Sequence, residues 1–81
     1  MARIVLASNL NPFAGGTTEL TLEVDDVYRL FQALAARFPA LEPHLEHEVA
    51  VAIDGEIYQD VLFQPIGPDS EVILIQKIAG G

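Results

Sequence analysis

TELTLEVDDVYRLFQALAARFP, residues 18–39, changes its apolar period once, and that change decides the fold. From Thr18 to Val24 the residues alternate, with Leu20, Leu22 and Val24 on one side and Thr21 and Glu23 on the other. A period of two is the mark of a half-buried strand. From Asp25 onward, Val27, Leu30, Phe31, Leu34 and Phe38 recur at i, i+3, i+4, i+7 and i+11. That spacing draws one apolar stripe along a helix of about three turns. Asp25 or Asp26 supplies a carboxylate for the free N–H groups at its start. Pro39 ends it, because the residue before a proline is kept out of the helical region.

On either side of this stretch the period is again two. Ile4 to Ala7 reads as a strand with Ile4 and Leu6 on one face and Val5 and Ala7 on the other. Asn9 to Gly16, containing Asn11-Pro12 and Gly15-Gly16, is the long connection of a hairpin with 18–24. Beyond the helix, Leu41 and Leu45 continue its contact through a short irregular or helical segment. Glu48 to Asp54 sets Val49, Val51 and Ile53 against Ala50 and Ala52, and Asp54-Gly55 signals a tight turn into Ile57-Tyr58. After the turn Gly67-Pro68-Asp69-Ser70, Val72 to Ile78 is the last strand, with Val72 and Leu74 on one face and Ile73 and Ile75 on the other.

The element order predicts an α+β domain, a mixed four- to five-stranded sheet with one main helix across one face. The expected core is Leu20, Leu22, Val27, Leu30, Phe31, Leu34, Phe38, Val51, Ile53, Val72 and Leu74. One helix covers one face only. The other then carries Val5, Ala7, Ala50, Ala52, Ile73 and Ile75, more apolar than a solvated antiparallel face requires. A partner surface accounts for it; local strand propensity in the last strand, or a covering loop, is the alternative.

The 81 residues allow one domain, 1–81, with one core. No cysteine is present, which removes disulfides, thiolate nucleophiles and sulfur-ligated metals. No apolar run approaches ~18 residues and no signal-peptide pattern opens the chain, so a cytoplasmic protein is expected. Four Lys and Arg against twelve Asp and Glu give a net charge of −8, which repels phosphate backbones and attracts basic proteins, besides serving solubility. Catalytic constellations are scarce. His44 and His47 lie three apart and are followed by Glu48, but no third ligand has a diagnostic spacing, and the segment reads as a solvated crossing rather than a metal site. Asn9, Asp54 and Asp60 read as turn or cap residues. Gly15-Gly16-Thr17-Thr18 lacks the lysine of a phosphate-binding loop.

Gly80-Gly81 draws attention for a different reason. Residues without side chains thread a narrow channel, and 79–81 read as a flexible tail that presents a carboxylate, although ordinary terminal fraying is the plain alternative. Lys77 lies near this end, placed to pair with an acidic partner or to discourage edge-strand pairing.

Taken together, Val27-Tyr28-Arg29-Leu30-Phe31-Gln32-Ala33-Leu34 ending at Phe38-Pro39, Val51-Ala52-Ile53-Asp54-Gly55-Glu56, Asp69-Ser70-Glu71-Val72 and Ile78-Ala79-Gly80-Gly81 resemble the ubiquitin-like β-grasp sulfur carriers. That family includes the small subunit of molybdopterin synthase and the thiamine-pathway carrier. The resemblance spans essentially the whole chain. It implies a carrier and not an enzyme, with no bound cofactor. A ubiquitin-activating-like adenylyltransferase would use ATP to activate the Gly81 carboxylate, which is then converted to a thiocarboxylate for a sulfur-accepting enzyme. Gly80, Ala79 and Ile78 would line the tail, with Ile73, Ile75 and Lys77 on the partner-binding side. Molybdopterin synthesis, through the large synthase subunit, is the expected pathway. A ubiquitin-like protein modifier, or a non-catalytic interaction module, is the rival from another class.

Overall fold

The period switch at Asp25 is realised as a strand turning into a helix. The computed structural model describes residues 1–45, 48–59 and 61–77. Strand β1 (Ala2–Leu6) is followed by a short 3-10 turn at Asn11–Ala14, β2 (Glu19–Leu22) and helix α1 (Val27–Arg37). A 3-10 turn at Pro39–Leu41 leads into the single turn α2 (Glu42–Leu45), then β3 (Val49–Ile53), β4 (Glu56–Tyr58) and β5 (Glu71–Gln76). The strand order is β2-β1-β5-β3-β4. Only β1 and β5 run parallel; the other pairs are antiparallel. This is the β-grasp arrangement, a mixed sheet with its main helix across one face.

Asp26, rather than Asp25, caps α1, its Oδ1 accepting from the Arg29 N–H at 2.7 Å. The other early amides are met by the segment after β4: Val27 N–H donates to Gln64 O and Tyr28 N–H to Leu62 O, while Ile66 N–H donates to Asp25 O. The helix start is therefore fully occupied by its own chain. Val27, Leu30 and Leu34 are buried, and Phe31 and Phe38 pack half-buried at the margin of the stripe. Each fully buried leucine contributes about 1.5–3 kcal/mol relative to an exposed one.

The core is wider than the periodic elements predict. Leu20 and Leu22 are only half-buried, since β2 is an edge strand, whereas Ala2, Leu10, Ala14, Leu41, Leu45, Val49 and Ile66 are buried. Leu10 and Ala14 belong to the expected long connection of the β1–β2 hairpin. That connection is built, not loose. With the Asn11 carboxamide assigned the orientation its surroundings require, its nitrogen donates to the carbonyls of Leu6, Ala7 and Thr17 at 2.9, 3.0 and 3.2 Å, and Gly15 and Gly16 take the positive φ values the turn needs.

Asp54 and Gly55, with φ of 48° and 91°, make the two-residue hairpin turn expected of this pair. Asp54 does more than turn the chain. Its Oδ1 accepts from the Glu71 N–H at 2.9 Å and its Oδ2 from the Ser70 hydroxyl at 2.8 Å, while Ser70 Oγ accepts from Gly67 N–H at 3.0 Å. The β3–β4 turn is thereby latched to the start of β5. The Glu71 N–H, and then the Ser70 hydroxyl, hold the Asp54 carboxyl below its usual range. Its stabilising effect is full above the ordinary carboxylate pKa and is lost as pH falls through the lowered folded value. Ser70 is 7% exposed, but its bonds to Gly67 and Asp54 are only part-buried, so Ser70→Ala is expected to cost about 0.5–1.5 kcal/mol in urea denaturation at neutral pH. The difference from the parent should shrink once Asp54 is protonated; a difference that does not change with pH would refute the latch.

Candidate functional site

On the sheet face away from α1, register assembles what the sequence only grouped. Ile73 of β5 lies opposite Val5 of β1 on one side and Ala52 of β3 on the other, and Ala52 is in turn opposite Ile57 of β4. Val5, Ile73, Ala52 and Ile57 thus form one apolar row across four strands. Ile75 pairs with Ala50 in the next row, towards the end of β5. Ile73, Ile75, Val5, Ala7 and Ala52 are half-buried, but Ala50 is 1% exposed and offers no surface of its own. Ile57, 54% exposed, is the largest accessible apolar group in the row. It was missed as a surface residue. A two-residue turn at Asp54-Gly55 fixes Ile57 opposite Ala52, so counting outward from that turn would have found it.

Charges flank these rows. Across β2, β1 and β5, Arg3 donates through Nε to Glu19 and through Nη1 to Glu71, both at 2.6 Å. The bond to Glu19 raises the Arg3 pKa and holds the Glu19 carboxyl below its usual range. All three side chains are about half exposed, so the cluster orders the margin of the face more than it stabilises the fold. Lys77 follows β5 at the opposite end.

Lys77 also marks the root of the tail. Its N–H donates to Glu48 O at 2.8 Å, extending the β3–β5 ladder by one bond. Glu48 is held in turn: its Oε2 lies 3.0 Å from His44 Nδ1, and the His44 ring stacks on Phe13 with centroids 4.0 Å apart. His44 is therefore a half-buried residue of α2 packed on the 3-10 turn after β1, not a solvated loop histidine. His47 and Asp60 lie outside the described residues, as do the tail positions Ile78, Ala79, Gly80 and Gly81. Among the described residues, no group of three or more His, Cys, Asp or Glu side chains is arranged to hold a metal ion. No helix among them is long and apolar enough to cross a membrane.

The site geometry is thus an apolar sheet face whose central strand leads directly to residue 78. The ThiS family model matches residues 4–81 of this sequence. The chain belongs to the ThiS family.

Membership carries the general role of the ThiS-type β-grasp proteins, carriage of sulfur as a C-terminal thiocarboxylate. Solved structures agree on the fold. The chain is similar to Mycobacterium tuberculosis CysO, described as an antigen, with a TM-score of 0.81, 15% identity and coverage of 96% of this chain and 100% of that one. The structure of the Amycolatopsis orientalis BexX/CysO complex matches with a TM-score of 0.82 at 13% identity, covering 100% of each chain. SAMP1 from Haloferax volcanii matches with a TM-score of 0.72 at 25% identity, covering 99% of this chain and 98% of that one. Comparison with curated protein sequences gives no significant match.

Proposed function

We propose that this ThiS-family chain is one carrier domain, residues 1–81, whose tail 79–81 delivers Gly81 to two partners in turn. In the first, a ubiquitin-activating-like adenylyltransferase, a Gly81 carboxylate oxygen attacks the α-phosphate of ATP. Pyrophosphate leaves and an acyl-adenylate forms. A sulfur nucleophile supplied by that system then displaces AMP and leaves the thiocarboxylate. In the second, an acceptor enzyme takes the sulfur. The chain's own part is presentation: Gly80 and Ala79 add little bulk, Ile78 and Lys77 set the approach, and Ile73 and Ile75, with Ile57, give the partners a surface to hold. The observation that carries this reading is the family match running through residue 81, the atom-bearing end of the proposed chemistry.

For the acceptor we propose the large subunit of molybdopterin synthase, on the strength of the sequence resemblance, with the cytoplasm as the compartment. A second reading is favoured by one comparison. The Haloferax structure at 25% identity is that of a small archaeal modifier protein, so Gly81 joined to a lysine of another protein is the competing use of the same tail.

Incubation with the adenylyltransferase, ATP and a sulfur donor is expected to raise the intact mass by the difference between one sulfur and one oxygen. Adding the molybdopterin synthase large subunit with its substrate should return the mass to its starting value. Lysine conjugates on other proteins without a thiocarboxylate would overturn the carrier reading. A stable thiocarboxylate that the large subunit leaves untouched would overturn the acceptor alone.

A further inference from the structure

A second apolar surface lies on the helix side, away from the rows centred on Ile73. Val61, Leu62 and Phe63 follow β4, and all three are exposed, Phe63 by 77%. The Phe63 ring leans on Tyr28 of α1, centroids 6.2 Å apart. This exposure is not fraying. The Tyr28 N–H to Leu62 O bond is 2.7 Å and the Val27 N–H to Gln64 O bond is 3.1 Å, so the segment is tied to the first turn of α1 on both sides of Phe63. A held, contiguous apolar patch on a small soluble chain marks an interaction site more often than an accident.

Beside it opens a cavity of about 120 Å³ lined by Tyr28, Phe31, Gln32, Glu42, Leu45 and Leu62. Small-molecule sites span about 300–1,000 Å³, so this one suits a single side chain and not a metabolite. Its polar wall is already engaged, since Gln32 Nε2 donates to Tyr28 Oη at 3.0 Å. Among the described residues, Glu42 is its one charged lining residue. Neither Arg29 nor Arg3 neutralises it: Arg29 lines a different cleft with Glu23 and Asp25, and Arg3 holds Glu19 and Glu71.

Charge selects the occupant. With a net charge of −8, a second copy, an anionic membrane and a nucleic acid are all repelled. A basic protein segment is attracted. We propose that this patch docks a partner segment that inserts one leucine- or phenylalanine-sized side chain into the cavity, covered by Tyr28 and Phe63, and pairs an adjacent Lys or Arg with Glu42. The surface lies on the opposite side of the sheet from Ile73 and Ile75, so a partner held here leaves the tail and the outer face open. The carrier can then be tethered to one protein while another works on its end.

The test is an amide NMR titration of the full chain with the acetylated, amidated peptide Arg-Leu-Phe-Arg. Saturable shifts are expected at Tyr28, Gln32, Leu45 and Leu62, with a Kd of roughly 1 mM or tighter. Phe63→Ser and Glu42→Lys should each weaken binding about tenfold, with unchanged spectra elsewhere because both side chains lie at the surface. The charge-reversed peptide Glu-Leu-Phe-Glu should bind at least about tenfold more weakly. The proposal is overturned by no saturable shift, by equal binding of the two peptides, or by shifts confined to Ile73 and Ile75. Shifts at the patch that track protein concentration without peptide would overturn it in favour of a second copy.

Discussion

Deletion of Gly81 is expected to abolish thiocarboxylate formation while leaving the folded domain intact. The shortened chain still ends in a glycine, Gly80, and still carries a carboxylate. What it loses is reach. One residue spans at most about 3.3–3.6 Å, and a reacting pair must come within about 3–3.5 Å, so the new terminus falls short of the nucleotide by a full contact distance. A misplacement of even ~1 Å can cost on the order of 10²-fold in rate, so the loss here should exceed that. Intact-mass time courses with the adenylyltransferase read the rate, and thermal melting reads the fold. The core ends on β5 with Val72 and Leu74, so the melting temperature should not move. A matching fall in stability would show that the tail is structural, and undiminished sulfur loading would show that the chemistry does not reside on Gly81.

The second large effect is expected at Ile75→Asp. Ile75 is half-buried, pairs with Ala50, and lies two residues before Lys77 on the strand that leads to the tail. A carboxylate there puts an unpaired, desolvated charge within the proposed contact, which costs about 2 kcal/mol or more, as loss of a hot-spot residue does. A 30-fold or larger rise in Kd for the adenylyltransferase is therefore expected, roughly 1.4 kcal/mol corresponding to each factor of ten. Solo stability should fall by about 1 kcal/mol, the span of strand propensity, because the side chain is outside the core. Calorimetric titration and urea denaturation separate the two. Ile57→Asp, at the edge of the same face, should weaken binding less. Unchanged affinity in Ile75→Asp would refute the outer face as the contact.

The elements that could be read from sequence are those in which one local rule governs every residue. Helix α1 needed only its stripe, its aspartate and Pro39, and it runs within a residue or two of those marks. The alternation of β3 and β5 likewise placed Val51, Val72 and Leu74 inside and Ile73 and Ile75 outside. Leu10, Ala14 and Ile66 gave no such signal, because loop residues have no period and their burial depends on what the finished fold lays over them. The same holds for contacts made across the chain. Nothing near Asp54 announces Ser70, nothing near His44 announces Phe13, and Leu62 meets Tyr28 only because the segment after β4 crosses the start of α1. For the proposed contact face, alternation puts Ile73 and Ile75 on the side away from α1 and Ile57 needs the register, while Gly80 and Gly81 stand out by their lack of side chains and take their proposed role from family resemblance.

The position of β5 has a consequence for how the molecule is made. The hairpins β1–β2 and β3–β4 are each local in sequence, and two-stranded units of this size are marginal alone in water. They are joined only when residues 71–76 slide between β1 and β3, with β1 pairing to a strand almost seventy positions later. Chains grow from the N-terminus, so the middle of the sheet is the last part of it to be synthesised. A chain interrupted between β4 and β5 holds two unconnected hairpins with exposed edges and is a target for proteases. By this topology the sheet closes, and its outer apolar face comes into being, only once β5 has been made.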